Sequence, residues 1–256
     1  MPTGSLPQWT WARASCRGTS HVKQGTRRQD AVSCLGTDPQ TLIAVVCDGA
    51  GSSSHGGEGA SLTARTIVRC AADHLRATRE LPIDEMIWSW VDDIRDQLAR
   101  ASTARNIERR SFAATLVGVI TRGSETVVFH IGDGAAVGRN ADSGTWDALS
   151  WPEHGEYAST TFFVTDDPGV RLRIARPLVL LDAVAVFTDG IERLALSFVD
   201  TKPHNPFFNG MIKPVQESEV AGCDHALSAK LAAYLDSSAV NARTDDDKSL
   251  VIAALR

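Results

Sequence analysis

The chain lacks the features that mark several protein classes. None of its five cysteines (Cys16, Cys34, Cys47, Cys70, Cys223) pairs as Cys-x-x-Cys. That removes the usual zinc spacing, and an odd, scattered set does not make a disulfide framework. Cys47 sits in an apolar run and reads as a small core residue, a usage that fits a reducing cytoplasm. The first nine residues hold no apolar signal-peptide core. The longest apolar stretch, Leu178 to Phe187, is interrupted by Asp182 and is too short to span a bilayer. A soluble, cytoplasmic protein with no membrane attachment is expected. Positive charge is not in excess: the formal net charge is −5, which argues against a nucleic-acid binder. The Gly-rich segment Gly49-Ala50-Gly51-Ser52 lacks the Lys of a nucleotide-binding P-loop. No Gly-x-Ser-x-Gly elbow is present, so chemistry begun by a serine nucleophile is not expected.

What the chain does have is carboxylates at the ends of apolar runs. Asp48-Gly49 follows Leu42 to Cys47, Asp133-Gly134 follows Thr126 to Ile131, and Asp189-Gly190 follows Val184 to Thr188. Asp245-Asp246-Asp247 precedes Ser249 to Ala254. Runs this short and this rich in β-branched residues read as buried strands. Asp-Gly is also a common hairpin dipeptide, and each pair alone fits a turn. The repeated choice of an acid needs a further reason, because clustered carboxylates repel. Strand-end carboxylates converging from distant segments build a site for hard divalent cations.

With 256 residues, 43% of them hydrophobic and 22% charged, one domain over the whole chain is expected. Strands are predicted at Trp9 to Cys16, Ala31 to Leu35, Leu42 to Cys47, Val179 to Phe187 and Leu250 to Leu255. A meander is predicted over Phe112 to Thr121, Thr126 to His130, Ala135 to Arg139 and Thr145 to Leu149. Helical spacing marks Gly59 to Leu75, a second helix from about Pro82, a short one at Ile191 to Leu196, and Asp224 to Leu235. Arg17 to Asp30 reads as a basic loop, and Ser150 to Arg176 as turn-rich. Residues 197–219, with Pro203, Pro206 and Pro214, read as an irregular insertion. Strands and helices are segregated, which predicts an α+β fold of two stacked antiparallel sheets with helices outside.

In chain order, Gln29-Asp30, Asp48-Gly49-Ala50-Gly51, Ser111-Phe112-Ala113-Ala114-Thr115, Gly132-Asp133-Gly134, Thr188-Asp189-Gly190 and Asp245-Asp246-Asp247-Lys248-Ser249 resemble the type-2C metal-dependent serine/threonine protein phosphatases, in a bacterial branch. The likeness runs from Gly18 to Ala254. It implies an αββα four-layer sandwich with two Mn or Mg ions in a cleft at one sheet edge, and room for a third ion. It further implies hydrolysis of phosphoserine and phosphothreonine by a metal-activated water, acting on a phosphoprotein made by a Ser/Thr kinase. By position, Asp48 bridges the metals and the Gly49 carbonyl is a ligand. Asp189 and a terminal acid bind the second ion, that acid being Asp246, or Asp247 if the frame shifts. Asp30 holds metal-bound waters, and Asp133 serves a third ion. The implied catalytic set is Asp30, Asp48 and Asp189.

Three positions depart from the family pattern. Gly25 stands where a phosphate-clamping Arg is common, leaving Arg27, Arg28 and His21 as the expected phosphate contacts. Ala50 stands where a His is usual, so leaving-group protonation falls to His55, His21 or metal-bound water. Gly134-Ala135 replaces the usual Ser-Arg. These departures motivate an alternative function, a catalytically weak phosphatase-like module that binds a phosphoprotein and regulates signalling. A two-metal phosphodiesterase is a third reading, disfavoured by the acidic balance.

Overall fold

A computed structural model describes residues 7–153 and 161–256. Most of the N-terminal stretch read as lacking a signal core, and part of the turn-rich segment before Arg176, lie outside them. One sheet takes the order β12-β1-β13-β9-β6-β7, built from Gly222–Cys223, Trp9–Cys16, Lys248–Leu255, Leu181–Phe187, Ala135–Asn140 and Trp146–Ser150. The other takes the order β2-β3-β4-β5-β8, from Ala31–Asp38, Thr41–Cys47, Leu116–Arg122, Glu125–Ile131 and Arg173–Ala175. All pairings are antiparallel except the short β1–β12 contact.

Alternation along the strands creates the layers. Leu42, Ala44 and Val46 of β3 point between the sheets with Val184, Val186, Val251 and Trp11. Ile43, Val45 and Cys47 point the other way, onto α2 (Gly56–Thr78) and α3 (Asp84–Arg105), against Ile67, Ala71, Ile94 and Leu98. The six-stranded sheet is covered by α5 (Asn205–Gln216) and α6 (His225–Leu235), through Phe208, Ile212, Leu231 and Leu235. The result is helix, sheet, sheet, helix. Leu42 to Cys47 are wholly buried, each larger apolar side chain contributing roughly 1.5–3 kcal/mol. Sliding β3 by one residue would exchange its two core faces, so the position of Asp48 at its end is fixed by the core.

Three expectations change. The basic loop before Asp30 contains a short helix, α1 (Thr19–Gln24). The expected meander is broken: β4 pairs with β5 and β6 with β7, but β5 and β6 belong to opposite sheets. The crossing is made at Gly132-Asp133-Gly134, where Gly132 has φ +107° and a Cβ on Gly134 would come within 2.8 Å of the Phe187 carbonyl oxygen. Residues 197–219 are not irregular. After α4 (Glu192–Ala195) and the hairpin of β10 (Leu196–Ser197) with β11 (Lys202–Pro203), they form α5. Pro206 lies in its first turn, where a missing N–H is harmless, and Pro214 comes only in its last. The short α7 (Ser238–Asn241) precedes β13.

His130 of β5 is a buried polar junction. Its Nδ1 is 3.0 Å from Nη2 of Arg173 on β8 and 2.6 Å from the Ser150 hydroxyl on β7. An Arg can only donate, so Nδ1 accepts and the ring is neutral. Burial and the Arg173 charge push its pKa down to about 3.

Two stability predictions follow from these packings. A Cβ on Gly59 of α2 would lie 2.0 Å from the Phe112 carbonyl oxygen, whereas Gly210 of α5 faces open space. Gly59→Ala should therefore cost about 2–3 kcal/mol, and Gly210→Ala should gain about 0.5–1 kcal/mol, both read from urea unfolding. For His130, the unfolded chain binds the proton that the folded chain refuses between pH 6.5 and about 3. Stability should thus fall with acidification, by about 2 kcal/mol from pH 7 to pH 5 for this group alone. His130→Asn should show a shallower acid loss than wild type over that interval.

Candidate active site

Strand register gathers the acids. Phe187 at the end of β9 pairs with Ala135 at the start of β6 and with Leu250 near the start of β13. Asp189, Asp133 and the Asp245–Asp247 run lie just beyond those ends, at one edge of the sheet. In the other sheet Cys47 pairs with Ala31, which sets Asp48 beside Asp30. One carboxylate oxygen from each of Asp48, Asp133 and Asp189 lies within 4.8 Å of the others.

Backbone splints hold this edge. The Asp48 N–H donates to Thr115 Oγ1 at 2.9 Å, and the Thr115 N–H returns a bond to the Asp48 carbonyl at 2.8 Å. A Cβ on Gly49 would come within 2.3 Å of Gly56, so only glycine lets the start of α2 approach this closely. Across the cleft, Thr188 Oγ1 accepts from the Ser249 N–H and donates to Asp30 Oδ2 at 2.8 Å. Thr161 donates to Asp133 Oδ2.

The electrostatics are those of acids crowded without a countercharge. Burial, then Asp189, Asp30 and Asp133, push the Asp48 carboxyl well above its usual range. Asp189 is raised by burial, then by Asp133 and Asp246. Burial pushes Asp30 up to about 6, while side-chain hydrogen bonds with Asp48, Ser249 and Thr188 act in the opposite direction. An all-oxygen set with raised pKa values suits a hard divalent cation, which would restore the ionised forms.

The terminal acids divide. Asp246 is half-buried, near enough to Asp189 to raise its pKa, and shares with it and Glu192 the wall of a cavity of about 230 Å³. Asp247 turns away: its carboxylate accepts from the backbone N–H groups of Gly18, Gln29 and Asp30, and lies 3.1 Å from His21 Nδ1. With 1% exposure and its oxygens so engaged, Asp247 clasps the α1 segment to β13 rather than facing the carboxylate cluster. The fully buried Lys248 steadies the same corner, donating to Asn241 Oδ1 and the Asp246 carbonyl.

The expected phosphate contacts divide too. His21 is buried against Asp247. Arg28 donates from Nε and Nη1 to the carbonyls of Asp30 and Ser15, so its guanidinium holds the loop. Arg27 alone of the three is exposed without such bonds, on the wall of a larger cavity beside Gln29 and Gly51. Gly25, standing in place of the clamp Arg, caps α1 at φ +71°, a left-handed conformation that favours glycine. His55 lies on that cavity too, bonded to the Ser54 hydroxyl. Cys70 and Arg76 have the Cys-x5-Arg spacing of a thiol phosphatase loop, which the motif reading passes over. Both are inside α2, where a regular helix cannot wrap its N–H groups around a phosphate.

Thr161, Glu192 and the Asp247 clasp were not singled out by motif reading. Thr161 follows no strand signal, Glu192 sits one turn beyond Asp189-Gly190, and the clasp partners of Asp247 are more than 200 residues away in sequence.

Comparison with known proteins agrees with this geometry. Residues 17–236 match the family described as Protein phosphatase 2C. Serine/threonine-protein phosphatase 3 of Escherichia coli (strain K12) is 38% identical over 256 residues, spanning 96% of this chain and 98% of that protein. Among solved structures, PppA, described as a key regulatory component of T6SS in Pseudomonas aeruginosa, superposes with TM-score 0.66 at 17% identity, covering 98% of this chain and 99% of its own. The catalytic domain of the serine threonine protein phosphatase PstP, in complex with two manganese ions, gives TM-score 0.62 at 14% identity, covering 98% and 99%. The chain belongs to the protein phosphatase 2C family.

Proposed function

We propose that Asp48, Asp189, Asp133 and Asp246 hold the divalent ions with which this protein phosphatase hydrolyses phosphoserine and phosphothreonine. The observation that carries the assignment is the approach of three carboxylates from three separate strand ends to within 4.8 Å. Mn or Mg fits the donor set: Asp48, Asp189, Asp246 and the Gly49 carbonyl would hold two ions, and Asp133 with Asp189 would hold a third. Bound there, the ions supply a hydroxide near neutral pH and neutralise charge on the phosphoryl oxygens.

The chain's own groups set up the reaction. Asp30, pinned by Thr188 beside Asp48, is the acceptor that would orient water entering the cluster. Asp247 acts one step removed, holding the backbone of Gln29 and Asp30 in place. Arg27 is the side chain assigned to contact the phosphoryl group, and His55, on the same cavity, is assigned to the leaving group. The substrate is a phosphoprotein of a Ser/Thr kinase, and the site of action is the cytoplasm. A regulatory module with weak turnover is the second reading. It is favoured by the engagement of both His21 and Arg28 in structural contacts.

The two terminal acids provide a sharp test. Asp246→Asn should weaken Mn affinity by tenfold or more in titration calorimetry, on the order of what loss of a charged ligand costs, while the urea midpoint of metal-free protein stays put. Asp247→Asn should do the reverse, losing about 2–4 kcal/mol of stability. Asp48→Asn should abolish both Mn-induced thermal stabilisation and hydrolysis of p-nitrophenyl phosphate. Swapped phenotypes would transfer the ligand role to Asp247. Wild-type protein that binds Mn yet turns over neither p-nitrophenyl phosphate nor phosphopeptides would leave the regulatory reading.

A further inference from the structure

The larger cavity carries chemistry that ester hydrolysis does not require. It encloses about 930 Å³ between the loops bearing Gln29 and Ser52–Ser54 and the outer faces of α2 and α3. Arg27, Arg28, Arg65 and Arg105 all line it, against one carboxylate, Glu58. In a chain of net charge −5, scattered surface arginines would not be expected to converge on a single concavity. Arg105 pairs with Glu58 at 2.7 Å and its guanidinium lies over the Phe112 ring, 5.4 Å from the centroid. That pair holds the Glu58 carboxyl below its usual range, so the acid is already neutralised. Arg65 donates Nε to the Ser61 carbonyl, which orients its two remaining nitrogens. A smaller cavity, walled in part by the cluster itself, has contrary character. This 230 Å³ cavity is lined by Asp189, Glu192, Asp245 and Asp246, with Arg193 and Arg243.

We propose that this arginine-lined cavity is a substrate-selecting subsite, which receives anionic side chains flanking the phosphorylated residue of the target. The proposal rests on the phosphatase assignment above, since the cavity abuts the cluster through Gln29, neighbour of Asp30, and Gly51, two residues beyond Gly49. A phosphoryl group at the cluster leaves an extended peptide two walls to follow, this cavity or the acidic one. Carboxylates on the peptide favour the first path and lysines the second. Guanidinium forks accept a carboxylate or a second phosphoryl group alike, so both sources are to be tested. Because Arg65 and Arg105 are exposed and lie away from the carboxylates, their effect belongs to binding and not to bond cleavage.

The test uses the full chain with Mn and one phosphoserine peptide. Its flanking positions carry Glu, Gln or Lys, and a further version carries a second phosphoserine in place of Glu. Glu-flanked peptide should exceed its Lys counterpart in kcat/KM by about tenfold, carried by KM and shrinking at about 0.5 M salt as screening demands. The doubly phosphorylated peptide should match or exceed the Glu one. Arg65→Glu combined with Arg105→Glu should invert the Glu-over-Lys order, leaving p-nitrophenyl phosphate turnover within about twofold of wild type. A misfolded variant would lose all substrates together and could not invert a preference. Equal kcat/KM for Glu and Lys peptides in wild type, beside normal p-nitrophenyl phosphate turnover, would overturn the subsite alone. So would a double variant that folds, turns over p-nitrophenyl phosphate and keeps the wild-type order. Absence of p-nitrophenyl phosphate turnover in wild type would remove the phosphatase roles and the subsite with them.

Discussion

Mutual repulsion among clustered carboxylates is the constraint around which this structure is arranged. Asp48, Asp133 and Asp189 are brought together by the ends of β3, β5 and β9, and Asp30 is close enough to join the same set. None of these acids can relax away. Asp48 is fixed by a wholly buried strand and the Thr115 splint, Asp189 by the pairing of β9 with both β6 and β13, and Asp133 by the glycines that let the chain change sheets. The hydrophobic layers thus hold a charge arrangement that would be unfavourable by itself. A bound divalent cation turns the same arrangement favourable, which ties metal affinity to the integrity of the core.

Holding the acids at a strand edge leaves the N-terminal segment to be positioned independently, and Asp247 does this. Gly18, Gln29 and Asp30 come from the far end of the chain, and their N–H groups converge on one buried carboxylate. Those N–H groups occupy the carboxylate's oxygens, so Asp247 is spent on holding the backbone. That is why two adjacent acids, Asp246 and Asp247, can have opposite physical roles. Gly190 locks the corner, since any Cβ there would overlap the Asp247 carbonyl oxygen. The arginines and histidine of the N-terminal loop are drawn into the same work: His21 packs against Asp247, and Arg28 bonds to carbonyls on both sides of the loop.

Much of this was legible in the sequence because strand burial and strand-end chemistry are local signals. The runs before Asp48 and Asp189, the helical stripes of α2 and α3, and the layered α+β fold needed only periodicity and residue type. The failures have specific causes. The prolines of residues 197–219 concealed the spacing of Phe208, Ile212 and Val215 that forms α5, because Pro206 and Pro214 sit at its ends where they do little harm. The break in the meander was hidden because Gly132-Asp133-Gly134 has the composition of a hairpin turn but is used to change sheets. The clasp could not be read at all. Its partners are separated by over two hundred residues, and nothing about Asp247 itself distinguishes it from Asp246.

A cluster that handles only a phosphoryl group cannot by itself tell one phosphoprotein from another, so selection must come from the walls around it. Here the walls differ in sign. Acids are concentrated around Asp189, Glu192 and Asp245, while four arginines line the cavity that also holds Gln29 and Gly51. A surface charge pair is worth at most about 1 kcal/mol, but several acting on one flexible peptide within a shared concavity add to a discrimination of tenfold or more. The end of α1 at Gly25 bears on the same point. With α1 ended by a left-handed glycine, the remaining cationic groups of this cavity are carried by α2 and α3, as Arg65 and Arg105. Affinity is thereby shifted from the phosphoryl group, common to all substrates, toward the residues that distinguish them.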